Sequence, residues 1–335
     1  MALLERKRVI LLELESSYGT DPTPTGADAI LVSDLSITPQ ASDVVSRDLI
    51  RPYLGSSRQL LANTRVECAF SVELAGSTAA GTAPRVGKAL RACGFSETVA
   101  ANTSVTYAPV SGSFESATIY YNVDGVLHKT TGCRGSWALE ASVGEIPKLN
   151  FSFQGIYVAP SDVALPTVSY GNQATPLIFK NGNTTGFQFL SYNGACQSIE
   201  FDAGVTTTYM ELIGGTKEVH IIDRNSAGSV TIEAPTIAQK DYFSAALSDT
   251  SLGNLAFTHG SDAGNIVQFT SSKIDIGDVA YSEQNGIVMA EIPITACPST
   301  SGNDEFSLIY RLSLIHISEP TRQEAISYAG FCVKK

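Results

Sequence analysis

The sequence predicts a mainly β protein that holds two versions of one β-domain, each with a flanking helix. Three observations carry this. Leu149, Phe151 and Phe153 alternate with Asn150, Ser152 and Gln154, the period of a strand with one buried face. Just upstream, ATIYYNVDGVLHK turns at Asp124-Gly125, a pair suited to a type I′ hairpin because both central residues need positive φ. The block His128–Tyr157 is then echoed without a gap by Val267–Ala296. Arg134 falls on Lys273, Trp137 on Ile276, and Leu149, Phe151 and Phe153 on Val288, Ala290 and Ile292. Few identities survive, but the inward parity does, and the order strand, excursion, strand, helix, hairpins occurs twice.

Taken in order, residues 1–28 read as an N-terminal extended arm. SSYGTDPTPTGAD is rich in turn formers, and Val9–Leu14 could add a strand to a neighbour's edge. Residues 29–165 form the first β-domain. It opens with Ile30-Leu31-Val32 and Leu35-Ser36-Ile37-Thr38. An excursion over 42–64 follows, then the alternating run Val66–Glu73. Pro84–Cys93 is its helix: Pro84 suits a first turn, Val86, Ala89, Leu90 and Cys93 share a face, and Gly94 fits the C′ position. Residues 166–180 are a linker broken by prolines and a glycine.

The second domain spans 181–311. Gln197–Phe201 parallels Leu35–Ile37, Thr207–Ile213 the start of the excursion, and Ser229–Glu233 the run Ala69–Glu73. Pro235–Leu247 is the second helix, with Phe243, Ala246 and Leu247 as its apolar contact, and Glu305–Tyr310 is the last strand. Residues 312–335 break the pattern. SLIHISEPTRQ resembles the translation of a sequencing adapter, so this tail, with His316 and Cys332, is expected to be non-native.

Composition narrows the function classes. Of 335 residues, 43% are hydrophobic and 16% charged, enough apolar material for real cores and too much for disorder. A formal net charge of −11 argues against a protein that grips phosphates, and leaves open one that sits beside nucleic acid and repels it. The six cysteines show no metal or redox spacing and read as buried small hydrophobes in a reducing compartment. The apolar run before Glu13 is too short for a signal core or a membrane span, so no secretion and no membrane contact are expected.

Motifs for chemistry are missing. His128, His220 and His259 are isolated, there is no HExxH, GxSxG or GxxxxGK[ST], and Gly214-Gly215-Thr216-Lys217 lacks the leading glycine of a phosphate loop. Asp262-Ala263-Gly264 and Asp275-Ile276-Gly277 are turn chemistry, not a calcium loop. Glu140 and Glu145 could be imagined as a glycosidase pair, but they flank the turn Ser142-Val143-Gly144, where solvated acids are common. No catalytic residue, cofactor or metal is expected. What remains are surfaces. In the excursion, Arg47, Arg51 and Arg58 stand beside Tyr53, Leu54 and Leu60, the composition enriched in protein interfaces; a hairpin folded onto its own domain is the plainer reading.

Glu13–Pro39, ELESSYGTDPTPTGADAILVSDLSITP, together with the Arg-bearing excursion and the NFSFQGIY strand, resembles the major tail tube protein of long, non-contractile-tailed bacteriophages. The similarity covers residues 9–311 and is most specific in the arm. The resemblance implies two tandem β-sandwich or half-barrel domains whose inner strands join around a lumen, with stacked rings guiding DNA at ejection. It implies trimer rings with pseudo-sixfold symmetry, or hexamers. It further implies a tape measure protein and a tail terminator as partners, a place in the virion tail, assembly in the host cytoplasm, and no catalysis. Mapped onto this chain, Arg47, Arg51, Tyr53, Leu54, Arg58, Leu60 and Tyr18 are candidates for contacts between rings or subunits. By strand parity, Asn150, Ser152, Gln154 and Asp275 are candidates to line a lumen that DNA passes without specific binding. The competing reading is a phage decoration or tail-tip adhesin, which would need exposed aromatic loops; the one Trp, Trp137, lies in a strand.

Overall fold

The computed structural model describes residues 3–79, 81–248 and 252–311. The expected tail 312–335 lies outside the described residues. In chain order the first half holds β1 (Arg8–Leu14), a single 3-10 turn at Gly26–Asp28, β2 (Ala29–Ile30), β3 (Ser33–Val45), β4 (Leu60–Glu73) and α1 (Gly87–Ala92). It continues with β5 (Phe95–Ala100), β6 (Ser104–Pro109), β7 (Ala117–Val123), β8 (Val126–Ser142), β9 (Lys148–Tyr157) and β10 (Ser161–Asp162). The second half holds β11 (Thr184–Phe189), β12 (Cys196–Asp202), β13 (Val205–Glu211), β14 (Lys217–Arg224), β15 (Ala227–Glu233) and α2 (Tyr242–Ala246). It ends with β16 (Gly253–His259), β17 (Ile266–Ile276), β18 (Ala280–Gln284), β19 (Ile287–Ala296) and β20 (Ser307–Arg311).

The protein is mainly β, and β13–β14 is a two-stranded ribbon set apart from the 18-stranded sheet. In the first half the antiparallel pairing runs β1, β7, β8, β9, β4, β3. In the second it runs β11, β16, β17, β19, β15, β12, the same order. Two seams join the halves: β12 pairs along the end of β8, and β20 bridges β17 and β6.

The hairpin at Asp124-Gly125 forms as expected. Asp124 and Gly125 have φ of 34° and 104°, and β7 and β8 pair down to Val123 and Val126. The alternation in β9 is kept: Leu149, Phe151 and Phe153 are buried, and Phe151 and Phe153 stack on Phe70 of β4. Trp137 is 1% exposed at the junction of the halves, packed on Phe95, Phe201 and Phe306. A single buried cluster therefore runs through both halves.

Four expectations are corrected. The strand over Val9–Leu14 does not go to a neighbour's edge, because β1 pairs along the whole of β7 in the same chain and buries Ile10, Leu11 and Leu12 there. The ungapped alignment also fails in register. Glu140 pairs with Lys148, whereas Gln284 pairs with Ile287, so the second connection is five residues shorter and Arg134 does not meet Lys273. The second helix is shorter than Pro235–Leu247. Asp241 accepts the Ser244 amide and starts α2, while Thr236 and Gln239 close a separate turn. Finally, α2 buries Tyr242 and leaves Phe243 and Leu247 at the surface.

Candidate functional site: a polar sheet face and two excursions

Side chains of a strand alternate between faces, so the residues opposite one another across the pairs trace each face of the sheet. The face turned away from the core starts with Thr38 opposite Glu67, which is opposite Gln154. It continues from Lys148 to Glu140 of β8, and Glu140 lies directly opposite Glu200 of β12. Beyond β15 it carries Glu291, and Asp275 opposite Thr295. The seam between the halves therefore continues one polar face across both, and the β13–β14 ribbon lies on that face over the first half: Ser136, opposite Ser152, accepts the Val205 amide, and Arg134, opposite Gln154, donates to Glu218. Ser152 and Asp275 are exposed on it, and Asn150 and Gln154 are half-buried. Its acids outnumber its cations: Lys148 is held by Asp34 at 2.8 Å, and Arg65 by Glu67 at 2.9 Å.

Each half sends an excursion out of this sheet, and the two behave differently. The β13–β14 ribbon bends back over β8, β9 and β4. The bend needs Gly204, whose φ is +65° and whose added Cβ would sit 1.9 Å from the Asn225 carbonyl oxygen. Arg134 clamps the ribbon: its guanidinium donates to Glu218 at 3.0 Å and to the Val219 carbonyl at 2.7 Å. The same side chain donates to the Phe114 carbonyl at 3.0 Å. Tyr18 stands under that guanidinium, 4.7 Å from it, accepts the Val219 amide at 2.6 Å and donates to the Gly132 carbonyl. Burial pushes the Tyr18 phenol up to about 12. At the other end Arg224 pairs with Glu305 at 2.6 Å and donates to the Val110 carbonyl. Tyr18 thus serves a contact within the chain.

The β3–β4 excursion has no such clasp. Residues 46–59 carry no regular structure, and Ile50 and Leu54 at the tip are as open as in an extended chain, 105% and 102% exposed. Tyr53 and Leu60 are exposed, as are Arg47 and Arg58; the Arg51 guanidinium lies 5.9 Å over the Tyr53 ring. The plainer reading of the sequence, a hairpin folded on its own domain, is not what forms.

Sequence reasoning missed the Arg134 and Arg224 clasps. A signal existed: Arg134 is the one charge inside the small, apolar run Gly132–Trp137, and a charge buried in a strand needs partners. The other polar candidates are structural. His259 bridges the Thr184 hydroxyl at 2.9 Å and the Leu177 carbonyl at 3.2 Å, and burial lowers its pKa. Glu140 lies between Lys148 and Glu200 in the sheet. Among the described residues no three His, Cys, Asp or Glu side chains gather as a metal site, and Cys68, Cys93, Cys133, Cys196 and Cys297 are free thiols. No helix of the described residues is long and apolar enough to cross a membrane.

No curated protein matches the chain. The profile of the phage tail tube protein family matches residues 6–296, from the start of β1 to the end of β19, which takes in the polar face and both excursions. With a match over most of its length, the chain belongs to the phage tail tube protein family, whose members are structural, non-enzymatic components of the virion tail that assemble into a tube.

Proposed function

We propose that copies of this chain close into rings, and that the rings stack into the tube through which the genome leaves the particle. The observation that carries this reading is the continuous polar face, which runs across both halves with Glu67, Glu140, Glu200, Asp275 and Glu291 on it. Turned inward, such a face repels phosphates and gives DNA no side chain to stick to. Asn150, Ser152, Gln154 and Asp275 are the lumen-facing residues on this reading. Arg47, Arg51, Tyr53, Leu54, Arg58 and Leu60 on the open excursion face the next ring or subunit, and Tyr18 supports them by holding the second excursion down.

The shared pairing order supports a duplication, with an arm over 1–28, β-domains over 29–165 and 181–311, and a linker over 166–180. Two quasi-equivalent domains per chain favour a trimer with pseudo-sixfold symmetry over a hexamer. The tape measure protein would fill the lumen, the tail terminator would cap the tube, and assembly would precede release from the host cytoplasm.

Electron microscopy of the purified chain, with a native mass of the rings, tests the reading. Stacked rings of three copies are expected; compact monomers at every concentration would favour a decoration or adhesin role instead. Trp137, the one tryptophan, is sealed in the core and takes no part in such a surface.

A further inference from the structure

Inside the chain, one half docks on the other by pairing β12 with the end of β8. The same two edges exist a second time, and there both are open. Among the described residues β3 pairs with β4 alone, and β18 with β19 alone. We infer that the β3 edge of one copy pairs antiparallel with the β18 edge of a second copy, in the register that β12 and β8 use within the chain. This inference rests on the ring reading and names the strands that close the ring.

The register follows from the pairs on either side. Ile37 opposes Cys68, which opposes Phe153; Ile199 opposes Val230, which opposes Ile292. Phe153 and Ile292 hold the same place in β9 and β19, so Ile37 holds the place of Ile199 and Thr38 that of Glu200. On the other side, Trp137 opposes Phe151 and Tyr281 opposes Ala290, so Tyr281 holds the place of Trp137 and Gln284 that of Glu140. Glu200 opposes Glu140 in the internal seam, and Thr38 of one copy therefore opposes Gln284 of the next. In place of the two carboxylates that repel within the chain, this seam sets a hydroxyl against an amide.

The uncovered surface fits this partner. Trp137 is buried against Phe201 of β12, while Tyr281 is 60% exposed with its ring against Phe243. Leu149 is fully buried, while Val288 in the same place is 52% exposed. An aromatic and aliphatic patch is thus left open on β18 and the neighbouring β19. An open edge of this kind invites strand addition, and the seam tolerates only a defined partner. Pro39 holds the place of Phe201, a hydrogen-bonded place in the internal seam, so this seam carries one hydrogen bond fewer than its counterpart. Because β3 and β18 are different surfaces, the contact is head-to-tail and generates a ring if the rotation closes.

Within the internal seam, Ala203 and Val143 donate across it to Trp137 and Gln197, so the Glu200–Glu140 place between them is a non-hydrogen-bonded pair. Such pairs hold their Cα atoms about 4.5 Å apart, within disulfide reach. The test is the double variant Thr38→Cys with Gln284→Cys, oxidised in assembled form and run without reductant. A ladder of covalent oligomers ending at the ring size is expected, and none for either single variant. Thr38→Cys with Glu283→Cys, one residue out of register, should give no ladder. Val288→Asp, at an exposed position, should keep the monomer's melting temperature and cut ring yield at least tenfold. Rings that form without the Thr38–Gln284 ladder, or with the shifted ladder in its place, overturn the seam and leave the tube reading standing. A chain that never assembles overturns the tube reading, and the seam with it.

Discussion

The two excursions leave the sheet at the same place in each half, after β3 and after β12, and end differently. The second is bent at Gly204 and fastened to the first half by Arg134, Tyr18 and Arg224. The first stands out, with Val44, Val45, Leu60 and Leu61 exposed along its strands and Ile50 and Leu54 at its tip. The difference teaches that an apolar hairpin is held down by specific partners for its buried polar groups, not by its apolar residues alone. The second excursion finds those partners in its own chain; the first has no such clasp among the described residues.

The comparison can be broken hardest at Arg134. Arg134→Ala leaves Glu218 and the Val219, Phe114 and Glu115 carbonyls without their donor, and breaking a buried charged cluster of this kind costs about 3 kcal/mol. A lowered denaturation midpoint and rapid amide exchange in β14 are expected; an unchanged midpoint would mean that the ribbon holds itself. Tyr18→Phe removes the hydroxyl that accepts the Val219 amide, an expected loss of about 1 kcal/mol in the same titration. Its pH dependence has a definite sign. The folded phenol titrates at about 12, above its ordinary value of 10.0. Its contribution is therefore fully present below pH 10 and lost as pH rises towards 12. That part of the alkaline slope should vanish in the phenylalanine variant.

The open excursion should respond in the opposite way. Ile50→Asp is expected to move monomer stability by no more than about 0.5 kcal/mol, because the side chain touches nothing in the chain. The same change should abolish stacking of rings in micrographs. A monomer destabilised as much as by Arg134→Ala would show that the tip packs on its own chain. The smallest effect is expected at the seam between the halves. Glu200→Gln relieves the facing carboxylates of Glu140 and Glu200 and should stabilise by about 0.3 kcal/mol at low salt. The gain should fade at high salt in parallel melts, as both groups are exposed and screened.

Local chemistry was legible from the residues. The Asp124-Gly125 turn, the buried triplet Leu149, Phe151 and Phe153, and Gly94 ending α1 each follow from dihedral preference or period within a few residues. The polar parity of Asn150, Ser152 and Gln154 was legible for the same reason. The ungapped repeat was not reliable, because register is fixed by pairing partners, and a connection shortened by five residues slides one strand without disturbing its alternation. The short α2 was missed because the Asp241 cap competes with the period that runs through Pro235–Leu247.

By itself, then, the sequence determined the strands and their inward faces, because alternation and turn residues act over short range, while the family came from the resemblance of the arm over Glu13–Pro39. Only the tertiary structure decided that β1 belongs to its own sheet, that one excursion is clasped and the other open, and that β3 and β18 keep bare edges. Those outcomes depend on which distant groups meet, and a charge such as Arg134 carries no mark in the sequence of the carbonyls that will receive it.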